Sequence, residues 1–94
     1  MDYPELAAEA QAIWEANGPW WDGVMGDGNR WHRELIAPAA ERLLALRAGE
    51  RVLDLACGNG QFSRRLAELG ARVVACDGSE SMLACARARL VVLN

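Results

Sequence analysis

The spacing of apolar residues changes character at about residue 49. Ahead of that point apolar positions recur at helical intervals. Leu6, Ala10, Ile13 and Trp14 share one face over about 5–16, and Leu35, Ile36, Ala39, Leu43 and Leu46 do so over about 30–47. Beyond it the pattern switches to short continuous runs. Val52, Leu53 and Leu55, interrupted only by Asp54, lead into the glycines Gly58 and Gly60. Arg72-Val73-Val74-Ala75-Cys76 leads into Asp77-Gly78. Runs of this length with glycine at the exit read as buried parallel strands, about 51–55 and 72–76. Between them Phe62, Leu66 and Leu69 mark a helix over about 61–69, closed by Gly70. After them Ser79 is a plausible N-cap for a helix over about 79–90, whose inner face carries Met82, Leu83, Ala86 and Leu90. The expectation is an α/β chain built on a right-handed β-α-β unit.

The connections carry their own signals. Asn17-Gly18-Pro19 predicts the end of the first helix. Trp20 to Arg33 holds three of the four tryptophans among several glycines, and reads as a loop packed as a hydrophobic lid rather than as ligand contact. On this reading His32 within it is not a catalytic base. Asn29 is the expected N-cap of the next helix. Pro38 predicts a kink or a restart, and Ala48-Gly49 the end.

Composition narrows the function. With 94 residues there is room for one small domain, and 52% hydrophobic residues argue against disorder. A formal charge of −3 without a basic stripe gives no footprint for nucleic acid. No apolar run approaches the roughly 20 residues that span a bilayer, and the acidic start M-D-Y-P-E-L does not resemble a secretory signal, so a cytoplasmic location is expected. Cys57, Cys76 and Cys85 are odd in number and lack a C-x-x-C pair, which reads as reduced thiols and no metal site.

A strand, a glycine loop and a helix start together suggest a nucleotide site. A dinucleotide fingerprint needs G-x-G-x-x-G, but here the third glycine position falls on Ser63, so an NAD-binding unit is disfavoured. Asp54 stands at the strand end beside the loop. Two unit charges about 4 Å apart interact by roughly 4 kcal/mol at an effective dielectric of about 20, so this acid would repel a pyrophosphate and attract a cation. S-adenosylmethionine (SAM) carries a sulfonium and an ammonium and no phosphate. A second acid at the end of the next strand, Asp77, offers two oxygens to the two hydroxyls of a ribose.

The sequence resembles the class I SAM-dependent methyltransferases. Their first motif, roughly V-L-D-x-G-C-G-x-G, is matched by Val52 to Gly60 with Ala56 in place of the first glycine, and Asp77, Ser79 and Met82 resemble the second, D-x-S-x-x-M. The segment M-G-D-G-N-R-W-H-R-E-L is similar to the approach to the first motif in a bacterial subgroup acting on small molecules. The resemblance implies that Asp54 holds the methionine ammonium, directly or through water. Ala56, Gly58 and Gly60 would wrap the methionine moiety. Asp77, with Gly78 beside it, would bind the ribose, and Met82 would pack on the adenine or serve as core. It further implies an incomplete Rossmann-like fold, with 1–48 as N-terminal helices and lid and 49–94 as the SAM-binding portion of a truncated domain. The ending V-V-L-N reads as a truncated or frameshifted product whose methyl-transfer residues would lie beyond residue 94. The function expected of the complete enzyme is methyl transfer from SAM to a small-molecule acceptor. The alternatives are a non-catalytic SAM-binding or assembly module and an inactive gene remnant. Open strand edges suggest self-association.

Overall fold

The computed structural model describes residues 3–26 and 28–91, except the side chains of Leu90 and Val91, so the tail Val92 to Asn94 and the inward position predicted for Leu90 lie outside the described residues. In chain order it contains α1 (Tyr3–Met25), a π-helical turn (His32–Ile36), α2 (Ala37–Leu44), β1 (Arg51–Leu55), α3 (Gln61–Glu68), β2 (Arg72–Cys76) and α4 (Glu80–Val91). The strands pair in parallel in the register Arg51–Arg72 to Leu55–Cys76, as the run lengths predict. Because side chains alternate along a strand, Val52, Asp54, Val73 and Ala75 share one face, and these four are half-buried. The other face is bare: Leu53, Val74 and Leu55 are 63%, 66% and 74% exposed. The core lies on the helix side, where Leu66, Met82 and Ala86 are buried.

The first helix differs most from its prediction. It does not stop at Asn17-Gly18-Pro19 but continues to Met25, so the segment predicted as a loop from Trp20 is helical over its first six residues. Proline inside a helix lacks the N–H that would bond the carbonyl four residues back, here that of Glu15. The Ser81 hydroxyl on α4 donates to that carbonyl at 2.7 Å. Gly18 permits the approach: a Cβ there would meet the Ser81 Oγ at 2.3 Å. A helix-breaking triplet is thus stabilised by tertiary contact. The cluster predicted for this helix is not its buried face, since Leu6 and Ile13 remain exposed.

Arg30 and Trp31 are helical, and the Asn29 carboxamide accepts the His32 N–H at 2.9 Å, as an N-cap should. The predicted helix over 30–47 is divided and shorter. The π turn precedes α2, which restarts with Pro38 in its first turn and ends at Leu44, where Ala45 adopts a left-handed conformation at φ 47°. The wider turn absorbs the break that proline imposes on the i→i−4 ladder. Leu35, Ile36 and Leu43, predicted as a core face, are exposed, as are Leu69 of the loop after α3 and Trp31.

The joint between α1 and α4 is polar. The Glu15 carboxylate accepts hydrogen bonds from the Ser79 hydroxyl (3.1 Å), the Glu80 N–H (2.8 Å) and the Ser81 N–H (2.8 Å). A side chain of α1 therefore caps α4, alongside the local cap in which the Ser79 hydroxyl accepts the Met82 N–H. Losing a capping acceptor typically costs ~1 kcal/mol, and up to about 2 kcal/mol. Glu15→Ala is expected to lower unfolding stability by about 1–2 kcal/mol, with Glu15→Gln, which keeps one acceptor oxygen, costing less. Urea denaturation followed by circular dichroism measures both; equal stability of Glu15→Ala and wild type would contradict the capping role.

Candidate functional site

The carboxyl ends of β1 and β2 open onto a cavity of about 500 Å³. Its walls come from three places: Ala56 and Gly58 from the loop after β1; Asp77, Gly78, Ser79 and Met82 from the loop and helix start after β2; and Ala7, Ala10, Gln11, Trp14 and Trp21 from α1. Five of the seven predicted binding residues, Ala56, Gly58, Asp77, Gly78 and Met82, are thus brought together. Asp54 and Gly60 are not part of this wall.

Gly60 has a packing role. Its φ is 80°, and a Cβ there would come within 2.9 Å of the Ala86 Cβ and 3.0 Å of its Cα, so the loop rests directly on α4. Asp54 points to the helix side of the sheet, where its carboxylate accepts the hydroxyl of the buried Ser63 at 2.5 Å. Ser63, the residue at the would-be third glycine, therefore anchors α3 to β1. Ala56 takes φ 59°, a left-handed conformation that glycine adopts more readily, in keeping with its place at a position the motif usually gives to glycine.

Asp77 organises the loop. One carboxylate oxygen accepts the Gly58 N–H and the other the Ser79 N–H, both at 2.9 Å. The Cys57 N–H bonds the Cys76 carbonyl, the Gly60 N–H bonds the Cys57 carbonyl, and the Gln61 N–H meets the Asn59 side-chain oxygen. These glycine-loop amides are engaged within the protein, so they are not aimed outward as a phosphate cradle. Each Asp77 oxygen keeps a further lone pair for a ligand hydroxyl.

The electrostatics point the same way. Burial, reinforced by the Asp54 and then the Asp77 carboxylates, pushes the Cys57 thiol up to about 11. Two acids acting on one thiol mark the loop as a region of negative potential, and a thiol held protonated is a poor nucleophile. The three cysteines are unbridged. Among the described residues no group of three His, Cys, Asp or Glu side chains is placed to hold a metal ion, and no helix is long and apolar enough to cross a membrane. His32 lies away from the cavity, edge-on to Phe62 at 5.9 Å.

Several residues that shape the site carried no motif signal. Asn59, buried, donates its amide to the Asp22 carboxylate and the Gly26 carbonyl, both at 3.0 Å, and Arg89 of α4 pairs with the same Asp22 at 2.5 Å. Gln11 donates to the Gly78 carbonyl at 2.8 Å. These contacts hold α1 over the cavity, and only the structure reveals them, because they join residues more than thirty positions apart. Trp21, predicted to pack as a lid, lines the cavity, whereas Trp20 and Trp31 are exposed.

Residues 52–93 match the family model described as a methyltransferase domain. The chain is 56% identical over 57 residues to a demethylmenaquinone methyltransferase of Clavibacter sepedonicus, covering 61% of this chain and 23% of that protein. It is 46% identical over 56 residues to a 23S rRNA (uracil(1939)-C(5))-methyltransferase of a Shewanella species, covering 60% of this chain and 12% of that protein. It is 38% identical over 90 residues to a protein-L-isoaspartate O-methyltransferase of Methylorubrum populi, covering 96% of this chain and 39% of that protein. The chain therefore spans well under half the length of each of these relatives. Motif, parallel strands and relatives agree, and the chain carries, over residues 52–93, a portion of a class I SAM-dependent methyltransferase.

Proposed function

We propose that the cavity is a SAM site and that the chain supplies the cofactor-binding part of an enzyme that methylates a small-molecule acceptor. The observation that carries this reading is the engagement of the Gly58 N–H by Asp77, a carboxylate that also faces the cavity. It turns the glycine loop away from phosphate binding and leaves acceptor capacity where a ribose diol would lie, beside a region of negative potential suited to a cation. The volume falls within the roughly 300–1,000 Å³ of ordinary ligand pockets. When bound, SAM supplies an electrophilic methyl group on a sulfonium.

The chain's own residues divide the work. Asp77 and the Gly78 backbone hold the ribose, and Ala56 and Gly58 lie against the methionine moiety. Met82 forms the floor under the base; it also touches the loop, since a Cβ at Gly58 would lie 3.2 Å from its Cε. Asp54 acts through its field on the loop rather than by direct contact. Gly60 sets the height of the loop on α4. A small-molecule acceptor is favoured by the absence of a basic stripe and by the Clavibacter relative, whose name gives demethylmenaquinone as its substrate. None of the described residues takes the part of a methyl-transfer base on this reading, so the chain alone binds without turning over.

The bare sheet face favours a second reading, a SAM-binding module completed by association. The chain exposes 6565 Å², against roughly 5,300 Å² for a folded monomer of its mass. Covering Leu53, Leu55 and Val74 with a second copy would remove part of that excess. Light scattering after size-exclusion chromatography is expected to give a dimer that Leu53→Glu returns to monomer; a wild-type monomer would exclude this form of assembly.

Isothermal titration with S-adenosylhomocysteine tests the main reading. Saturable binding, at least tenfold weaker in Asp77→Asn with unchanged helicity, and no binding of NADH, are expected. Absent binding, or NADH binding as tightly, would overturn it. The field on Cys57 has a separate check. In a Cys76→Ala/Cys85→Ala background, the thiol is expected to alkylate slowly at pH 8 and to speed up as pH rises towards about 11. Asp54→Asn, by removing one negative charge, moves that onset to lower pH. Because the folded-state value lies above the ordinary 9.0, the thiol favours folding below pH 9 and loses that contribution as pH rises through about 11.

A further inference from the structure

Helix α1 lies outside the residues that match the family model, yet it forms an entire wall of the cavity. Its inward positions, Ala7, Ala10, Gln11, Trp14 and Trp21, follow helical spacing, small near the start and aromatic further on. Trp14 and Trp21 meet edge to face, ring centroids 5.6 Å apart and planes at 82°, an arrangement that aromatic quadrupoles favour. Trp14 is nevertheless 44% exposed. It is therefore braced by its neighbour while leaving indole surface open in a largely apolar cavity. Gly78, the residue after Asp77, lines the same cavity, and Gln11 bonds its carbonyl, which fixes this part of α1 against the strand end.

Resting on the SAM reading above, we infer that Trp14 is a base-binding residue: its indole stacks on the adenine ring of the cofactor, Trp21 positions that indole, and α1 is the clasp that holds the base. The purine is attached to the ribose that Asp77 would hold, beside Gly78, and Trp14 is the more open of the two indoles that line the cavity there. The opposing surface is Met82, buried beneath. Glu15, next to Trp14 in sequence, caps α4 through three hydrogen bonds, so the clasp is tied to the same loop that carries Asp77 and Ser79.

The test is titration of the full chain with S-adenosylhomocysteine, by calorimetry and by tryptophan fluorescence, for wild type, Trp14→Ala and Trp14→Phe. Base–aromatic stacking lost to alanine weakens binding by about tenfold or more, and phenylalanine, which keeps a ring face, is expected to remain within about threefold of wild type. The ligand-induced fluorescence change is expected to shrink in Trp14→Phe. Trp14→Ala binding as tightly as wild type, or a fluorescence change identical in wild type and Trp14→Phe, would overturn the stacking role while leaving the SAM site standing. Should Trp14→Ala fail to fold, the Trp14→Phe fluorescence difference decides alone. No binding by wild type would remove the SAM reading itself, and this inference with it.

Discussion

The carboxylate of Glu15 is the constraint on which the rest of the arrangement depends. It sits on one helix and satisfies the exposed amides at the start of another, joining the two ends of the sequence. Without it the N-terminus of α4 would rely on Ser79 alone, and α1 would be held mainly by the hydrogen bonds of Gln11, Asp22 and the Glu15 carbonyl, since its apolar residues Leu6 and Ile13 face outward. The joint is specific because its parts depend on each other. Pro19 leaves the Glu15 carbonyl without its helical donor, Ser81 supplies one, and only glycine at position 18 lets Ser81 come close enough. Every group in that sequence is polar or small, so the contact gains its stability from hydrogen bonds made in a fixed geometry rather than from buried area.

A second consequence concerns the loop. Asp77 and Asn59 act as two staples, one from the loop after β2 and one from the glycine loop itself. The first holds Gly58, and the second reaches Asp22 and Gly26 near the end of α1. A glycine loop without such partners would present its amides to solvent and to anions. Here they are turned inward, and the charge nearest the cavity is a carboxylate. The chemistry of the loop is thus set less by the glycines than by what their amides are bonded to. A sequence with the same glycines and a different residue at 77 would have a different electrostatic preference.

This distinction explains what could be read in advance. The strand limits, the caps at Asn29 and Ser79 and the restart at Pro38 were legible, because each depends on residues within a few positions of one another, and the parallel pairing followed from a helix long enough to return the chain between two strands. Ala56, Gly58, Asp77, Gly78 and Met82 converge for the same reason: two short motifs at the ends of adjacent parallel strands must come together. The length of α1 was not legible. Asn17-Gly18-Pro19 is a sound local stop signal, and what overrides it comes from Ser81, more than sixty residues away. The partner of Asp54 was not legible for a related reason. The strand position of Asp54 was right, but alternation turns its side chain to the helix face, where Ser63 meets it.

The same alternation separates binding from burial. Residues with the parity of Val52 and Asp54 meet the helices, while Leu53, Leu55 and Val74 on the other face stay largely exposed. The cavity lies at the strand ends and is enclosed by α1, α4 and two loops, all of them held by hydrogen bonds on the covered side. No wall of it depends on the bare face. Covering that face therefore changes the stability of the sheet far more than the shape of the cavity, because the contacts that define the cavity are already made without it. The shape of the cavity is thus set by two strand ends, the start of α4 and helix α1.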